Sequence, residues 1–272
     1  MNHSDSVNTS WRKVAASIYK KPTDSKIFGS VELDITDLEQ YISQKRKEGL
    51  KITLTHIFTL AVARALKEDI PELNAYVRRG NIVKRNSIDA MVSVLIGDSQ
   101  MGSIKVHNAD TLMLHELAEI MDAEIRKTRC GSENKTMQMR DRITKIPWPL
   151  RGWIVNIIKK ITIDWGLRVP FFHFKPDSFG SYVVSNIGTF GLDMGYPALF
   201  PISNVPFVLI MGSVKKKPYV VNDVIMPRRI INLGAALDHR VVDAMHGGKV
   251  FRYIKRIVNN PSILESKPFW CK

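Results

Sequence analysis

The chain has 272 residues, 44% of them hydrophobic, and 40 lysines and arginines against 26 acidic residues, for a formal net charge of +14. Such a chain is long enough to bury a sizeable core, and no glycine-serine or proline-rich linker divides it, so one domain is expected. The positive charge raises a nucleic-acid partner, but the basic residues are scattered, without zinc-finger spacing or a ribonucleoprotein aromatic motif; no nucleic acid is expected, and the charge suits a smaller anionic ligand or surface.

Residues 1–10 are polar and read as a disordered tail with no apolar run before a cleavage site, so no secretory signal is expected and the domain spans 11–272. Cys130 and Cys271 form neither a metal spacing nor a disulfide framework, which fits a reducing, cytoplasmic compartment and no metal. After Gly29, the run to Ile35 alternates as a half-buried strand, and Thr36 or Asp37 can cap a helix through Arg46. Residues 53–68 predict a second helix with Thr53 or Thr55 near its start, too apolar to be solvated all round; His56 on it reads as a packed or surface residue, and Pro71 follows its end. Tyr76 to Val83, centred on Arg79-Gly80-Asn81, predicts a hairpin, Ile88 to Ile96 a buried strand, and Leu112 to Thr128 an amphipathic helix.

From about 131 to 176 the character changes. The second half of this stretch, Ile146 to Trp165, holds three of the five tryptophans, Trp148, Trp153 and Trp165, interleaved with Ile, Leu, Arg and Lys. That composition fits a helix at a membrane interface and fits equally a helical hairpin packed on its own domain or on a neighbouring subunit. Charges and prolines interrupt it well short of the roughly 20 apolar residues a span needs.

Near the end, Ile230 to Leu237 predicts a strand, followed by Asp238-His239-Arg240-Val241-Val242-Asp243 and a helix whose apolar face is Val250, Phe251, Ile254, Ile257 and Val258. One reading is structural: Asp243 caps the helix, His239 makes a turn hydrogen bond, and Arg240 pairs with a surface carboxylate. The other is chemical, because an imidazole held between two rigid elements can take a proton from a weak nucleophile near neutral pH.

Asp238 to Asp243 resembles the signature of the acyltransferase components of 2-oxo-acid dehydrogenase complexes, which share a fold with chloramphenicol acetyltransferase. Tyr182 to Gly191, with Ser185-Asn186-Ile187-Gly188, is similar to that family's serine-bearing strand and turn. Pro201 to Val214 resembles the next block, and Trp11 to Ala15 and Leu54 to Leu66 resemble its first helices. Two departures stand out: Ala244 replaces the family's glycine after the second aspartate, and Gln100 to Val106 replaces an apolar run along the substrate channel.

The resemblance implies a two-layer α/β sandwich of the chloramphenicol acetyltransferase type, with a mixed sheet covered by helices, assembling as a homotrimer with sites between subunits. It implies His239 as general base, Ser185 as oxyanion donor facing His239 of a neighbour, and Asp243 ordering the corner through an ion pair with Arg12. Trp148, Trp153 and Trp165 are candidates for a substrate channel or lid, and no cofactor is expected to be resident. The expected reaction is direct transfer from acyl-CoA, or from an acyl carrier protein, to a hydroxyl, amine or thiol. The Trp-rich stretch adds the expectation of a free-standing enzyme with a lipid or amphiphilic acceptor and peripheral contact with the inner face of a membrane. A core subunit served by a separate lipoyl protein and a non-enzymatic trimeric scaffold are the alternatives.

Overall fold

The computed structural model describes residues 25–96, 100–129, 147, 150–167, 179–200 and 203–271. The expected tail at 1–10, Arg12 and Trp148 lie outside these residues.

Strand β1 (Lys26–Asp34) runs into helix α1 (Thr36–Lys47), and α2 (Leu54–Glu68) follows. Neither Thr36 nor Asp37 takes the N-cap position of α1, which falls on Ile35; the Asp34 carboxylate instead accepts from the Thr36 N–H at 3.0 Å and its hydroxyl at 2.7 Å. Thr53 does stand at the N-cap of α2, where its N–H donates to His56 Nδ1 at 3.0 Å, so the buried His56 is a capping residue. Helix α2 is buried without a break from His56 to Leu66. Even Arg64 is inside, its guanidinium donating to the carbonyls of Ile263 at 2.7 Å, Leu112 at 3.0 Å and Ser266 at 2.9 Å. One cation thereby fastens the C-terminal segment and the start of the next helix to the core, the carbonyls at its Nη1 and Nη2 offsetting the cost of burying the charge.

The hairpin β2 (Ala75–Arg78) and β3 (Asn81–Lys84) turns through Arg79 and Gly80, both with positive φ, at 51° and 74°. This is the left-handed backbone that two-residue hairpin turns require. Strands β4 (Ala90–Ile96) and β5 (Gln100–Val106) pair antiparallel, helix α3 (Leu114–Arg129) follows, and helix α4 (Leu150–Lys159) continues into a π-turn at Lys160–Asp164. The remaining elements are β6 (Tyr182–Asn186), β7 (Phe207–Met211), β8 (Lys215–Val221), β9 (Val224–Asp238) and α5 (Ala244–Asn259).

The main sheet runs β1-β9-β7-β6-β4-β5, with β8 also on β9. The β4–β6 and β6–β7 pairs are parallel and the others antiparallel, so the sheet is mixed. One face packs against the helices in a single core that includes Leu33, Val92, Val184, Leu209 and Leu237 from the strands and Phe58, Leu66, Leu117, Val250 and Ile254 from the helices. Burying each such side chain stabilises by about 2 kcal/mol. The chain between β6 and β7 crosses the opposite face. A Cβ at Gly234 would stand 2.3 Å from the Gly195 carbonyl oxygen, so only glycine admits that approach. The result is a two-layer α/β sandwich.

Strand β9 extends well beyond the strand that begins at Ile230 in the sequence reading. Its first residues, from Val224, pair only with β8, and the two form an arm that turns through Asn222 and Asp223 in left-handed conformation, φ 50° and 62°. Pro218 and Pro227 face each other across this arm, where each strand has a free edge and a missing N–H costs no ladder bond.

Candidate active site at the end of the long strand

The second half of β9 lies between β1 and β7, and from Leu233 to Asp238 every residue is buried. It therefore delivers the next residue, His239, at a fixed place. The Asp238 N–H donates to the Pro206 carbonyl and the His239 N–H to the Ser25 carbonyl, at 2.9 and 2.8 Å, so both sides of the strand end are tied. The chain then turns, with the N–H groups of Val241 and Val242 both donating to the Asp238 carbonyl at 2.9 and 3.1 Å.

Asp238 and Arg240 clamp this turn. The Asp238 carboxylate accepts from Arg240 Nε at 3.0 Å, Arg240 Nη2 at 2.6 Å and the Arg240 backbone N–H at 3.0 Å, and Ser25 Oγ adds a bond at 3.2 Å. Burial pushes this carboxyl up, but the bonds from the Arg240 side chain and backbone outweigh it and hold it below the usual carboxylate range. The structural reading pairs Arg240 with a surface carboxylate. The partner is Asp238, two residues back and only 6% exposed. Sequence reasoning gave neither residue a role at the site, although an Asp-x-Arg pair astride a histidine was the signal for it.

His239 Nδ1 lies 3.1 Å from the Val242 carbonyl oxygen and 3.2 Å from Asp243 Oδ1. A carbonyl only accepts, so Nδ1 carries the proton in the neutral ring and Nε2 keeps its lone pair. The imidazole is about half exposed, with 51% of its side chain open. Asp243 occupies the N-cap position of α5 in extended conformation, φ −106° and ψ 172°, and its N–H donates to His246 Nδ1 at 3.1 Å. Ala244 is the first residue of that helix and is not among the residues with positive φ, so the missing glycine leaves Asp243 in place.

Ser185 lies on β6, on the sheet face away from the helices, in register with Ile210 of β7 and through it with Gly234 of β9. Gly234 precedes His239 by five residues, roughly 17 Å of strand, and two strand spacings of about 5 Å each separate β6 from β9. One chain therefore does not bring Ser185 and His239 together. The described residues give Ser185 no side-chain hydrogen bond.

Of the tryptophan candidates, Trp153 projects from α4 and is 67% exposed. Trp165 follows the π-turn and lines a cavity of about 460 Å3 beside the corner, together with Asp238 and Arg240. Among the described residues, no three His, Cys, Asp or Glu side chains cluster as a metal site, and no helix is long and apolar enough to cross a membrane.

The family model for 2-oxoacid dehydrogenases acyltransferase (catalytic domain) matches residues 5–143 and 177–265, leaving 144–176 unmatched. The lipoamide acyltransferase component of the branched-chain alpha-keto acid dehydrogenase complex of Bacillus subtilis is 26% identical over 240 residues, covering 85% of this chain and 46% of that protein. The chain thus spans about half the length of the curated relatives it matches. In fold it is similar to a probable dihydrolipoamide acetyltransferase from Listeria monocytogenes 4b F2365, with a TM-score of 0.63 and 22% identity over 95% of this chain and 92% of that one. It is also similar to a dihydrolipoamide acetyltransferase of Azotobacter vinelandii, solved to investigate a serine, a histidine and an asparagine in its catalytic mechanism, with a TM-score of 0.65 and 15% identity over 89% and 84% of the two chains.

Proposed function

Because this chain belongs to the 2-oxoacid dehydrogenases acyltransferase (catalytic domain) family, we propose that it moves an acyl group between a dihydrolipoyl thiol and coenzyme A, with His239 as general base. The relatives' names favour this reaction over the free-standing lipid acyltransferase expected from the Trp-rich stretch. The observation that carries it is the hydrogen bonding of His239: its Nδ1–H is spent on the Val242 carbonyl, which leaves Nε2 as the acceptor of a half-exposed ring. In the forward step Nε2 takes the proton of the attacking thiol, and the thiolate adds to the thioester carbonyl. The tetrahedral intermediate then expels the other sulfur, which recovers the proton from the imidazolium. No acyl-enzyme forms and no metal or prosthetic group enters the step.

Ser185 is the proposed donor to the oxyanion, because Ser185-Asn186-Ile187-Gly188 resembles the family's serine-bearing turn. Since it stands far from His239 of its own chain, it serves His239 of another copy in a homotrimer. A neighbour would also cover the half-exposed imidazole and exclude water from the thioester. Asp243 orders the ring from 3.2 Å and starts the helix behind it. The ion pair of Asp243 with Arg12 belongs to the same proposal.

The test is acyl transfer from a panel of acyl-CoAs to free dihydrolipoamide. His239→Ala should lower kcat about 10³-fold and Ser185→Ala about 10²-fold. Trimers reassembled from a mixture of the two variants should recover activity, because some sites then pair an intact histidine with an intact serine. Turnover that survives His239→Ala would refute the base, and failure of the mixture to recover would refute the shared site. One observation favours a second reading: Leu150, Trp153 and Ile157 form an exposed apolar stripe on α4 that suits an amphiphilic acceptor. Transfer of label into lipid but not to dihydrolipoamide would establish it.

A further inference from the structure

We propose that helix α4 is an interfacial anchor that seats the protein on an anionic lipid surface, with Leu150, Trp153 and Ile157 entering the boundary between headgroups and acyl chains and Lys160 at the level of the phosphates. The three apolar residues stand at i, i+3 and i+7, on one side of the helix, and all are exposed among the described residues. The flank beside them is bare: Gly152 and Asn156 are exposed, and a Cβ at Gly152 would meet nothing within 4 Å.

Helix α4 is apolar on a second face as well. Ile154, Val155 and Ile158 are half-buried, and Thr162 and Ile163 beyond them are buried. A helix apolar on two faces needs cover on both, and the domain supplies it on one. The C-terminal end of the segment is fastened to the β2–β3 hairpin. Arg79 donates its backbone N–H to the Asp164 carbonyl at 2.8 Å and its Nε to the Trp165 carbonyl at 3.1 Å, while Arg78 Nη2 reaches the Gly166 carbonyl at 3.0 Å. Gly166 makes this docking feasible: its φ is +68°, and a Cβ there would meet Arg78 Nε at 1.9 Å. The outer face is thus presented by a helix already formed and held, which keeps the ordering cost of attachment low.

Charge and size select the occupant. From Lys145 to Ile163 the sequence has four cations, Lys145, Arg151, Lys159 and Lys160, and no acidic residue. An indole and aliphatic side chains among cations complement anionic headgroups over hydrocarbon. The two signals act together: a short apolar stripe alone gives weak, reversible attachment, and each cation near the surface adds roughly five-fold in affinity. A second copy of the chain fits less well. A standard subunit interface recruits about 20–30 residues a side and is depleted in lysine, whereas this stripe has three apolar residues and runs on to the exposed Lys160. At ten residues α4 is about 15 Å long, half the hydrocarbon thickness, so it lies in the plane of the surface. The helix falls within residues 144–176, which the family model leaves unmatched, so the anchor is an addition to the matched domain.

The experiment is flotation of the intact protein at low salt with vesicles of equal parts phosphatidylcholine and phosphatidylserine, and with vesicles of phosphatidylcholine alone. The wild type should bind the mixed vesicles about ten-fold more tightly than the neutral ones, and added salt should release it. Trp153→Ser should weaken binding about ten-fold with its melting curve unaltered, and Trp153→Phe should keep most of it. Lys160→Gln should weaken binding about five-fold, whereas Lys216→Gln, an equal loss of charge on the exposed face of β8, should change it by about two-fold or less. His239→Ala should float as the wild type does, which separates this outcome from that of the transfer reaction. Failure of the wild type to float with mixed vesicles overturns the proposal, and if its sedimentation then depends on concentration until Trp153→Ser abolishes the effect, the occupant is a second copy. Equal flotation of Trp153→Ser and wild type, or equal losses in the two lysine variants, also overturns it, because general attraction to the net positive charge then accounts for the binding.

Discussion

The end of β9 and the inserted helix α4 are two regions of one molecule held in opposite ways. At the end of β9 the side chains have partners: Asp238 takes bonds from Ser25 and Arg240, and His239 bonds to Val242 while lying against Asp243. On α4, Leu150, Trp153 and Ile157 are 53%, 67% and 37% exposed, and the segment is tied down chiefly where its C-terminal carbonyls meet Arg78 and Arg79. The first region is rigid because the sheet and the clamp fix it within a single chain. The second is tied at one end, and among the described residues nothing covers its apolar face.

The contrast can be broken most severely at Gly234. An added Cβ would collide with the Gly195 carbonyl oxygen at 2.3 Å, with the Ile210 side chain behind it at 3.2 Å. The nearest obstacle is a backbone carbonyl, which cannot swing aside as the end of a side chain can, so Gly234→Ala should cost about 3 kcal/mol in denaturant unfolding. A loss below about 0.5 kcal/mol, the level of ordinary surface changes, would show that the crossing chain moves freely and that the strand end is less rigid than argued.

A smaller effect should follow at the clamp. Asp238→Asn removes the charge that Arg240 grips, a loss of about 2 kcal/mol at neutral pH. The folded carboxyl is held below its ordinary value despite burial, so its contribution is complete above that value and disappears as pH falls through the folded one. The gap in stability between wild type and variant should therefore be constant around neutrality and close in acid, below about pH 4. Urea unfolding at a series of pH values measures it, and a gap that widened in acid would contradict the sign.

How much of this was legible in the sequence follows the same division. The corner was readable because strand, turn and cap lie within fourteen consecutive residues, Ile230 to Asp243, and each leaves a local signal. The β8–β9 arm was not, because Lys215-Lys216-Lys217-Pro218 and Pro227-Arg228-Arg229 carry charge and proline where a strand signal needs apolar alternation; Asn222-Asp223 was its one local cue. Buried Arg64 could not be foreseen either, since its carbonyl partners Leu112, Ile263 and Ser266 come from distant parts of the chain. The cavity is of the same kind, joining Arg79, Lys159, Phe200 and Arg240 from four separate segments. Residues close in sequence announce their arrangement, whereas residues joined only by the fold do not.

The mildest change falls on the outer face of α4. Trp153 is 67% exposed, so Trp153→Ser removes little that folding of one chain has buried, and unfolding of dilute protein should shift by no more than about 0.5 kcal/mol. Against a partner surface the same indole would bury a large apolar area, and the variant should then show weaker self-association in sedimentation, or weaker binding to anionic vesicles at low salt. A loss of several kcal/mol in the dilute chain would erase the contrast with the strand end, because it would mean that Trp153 already packs within its own fold. An unchanged stability with a changed association would sharpen it, locating the rigidity of the corner inside the chain and that of α4 outside it.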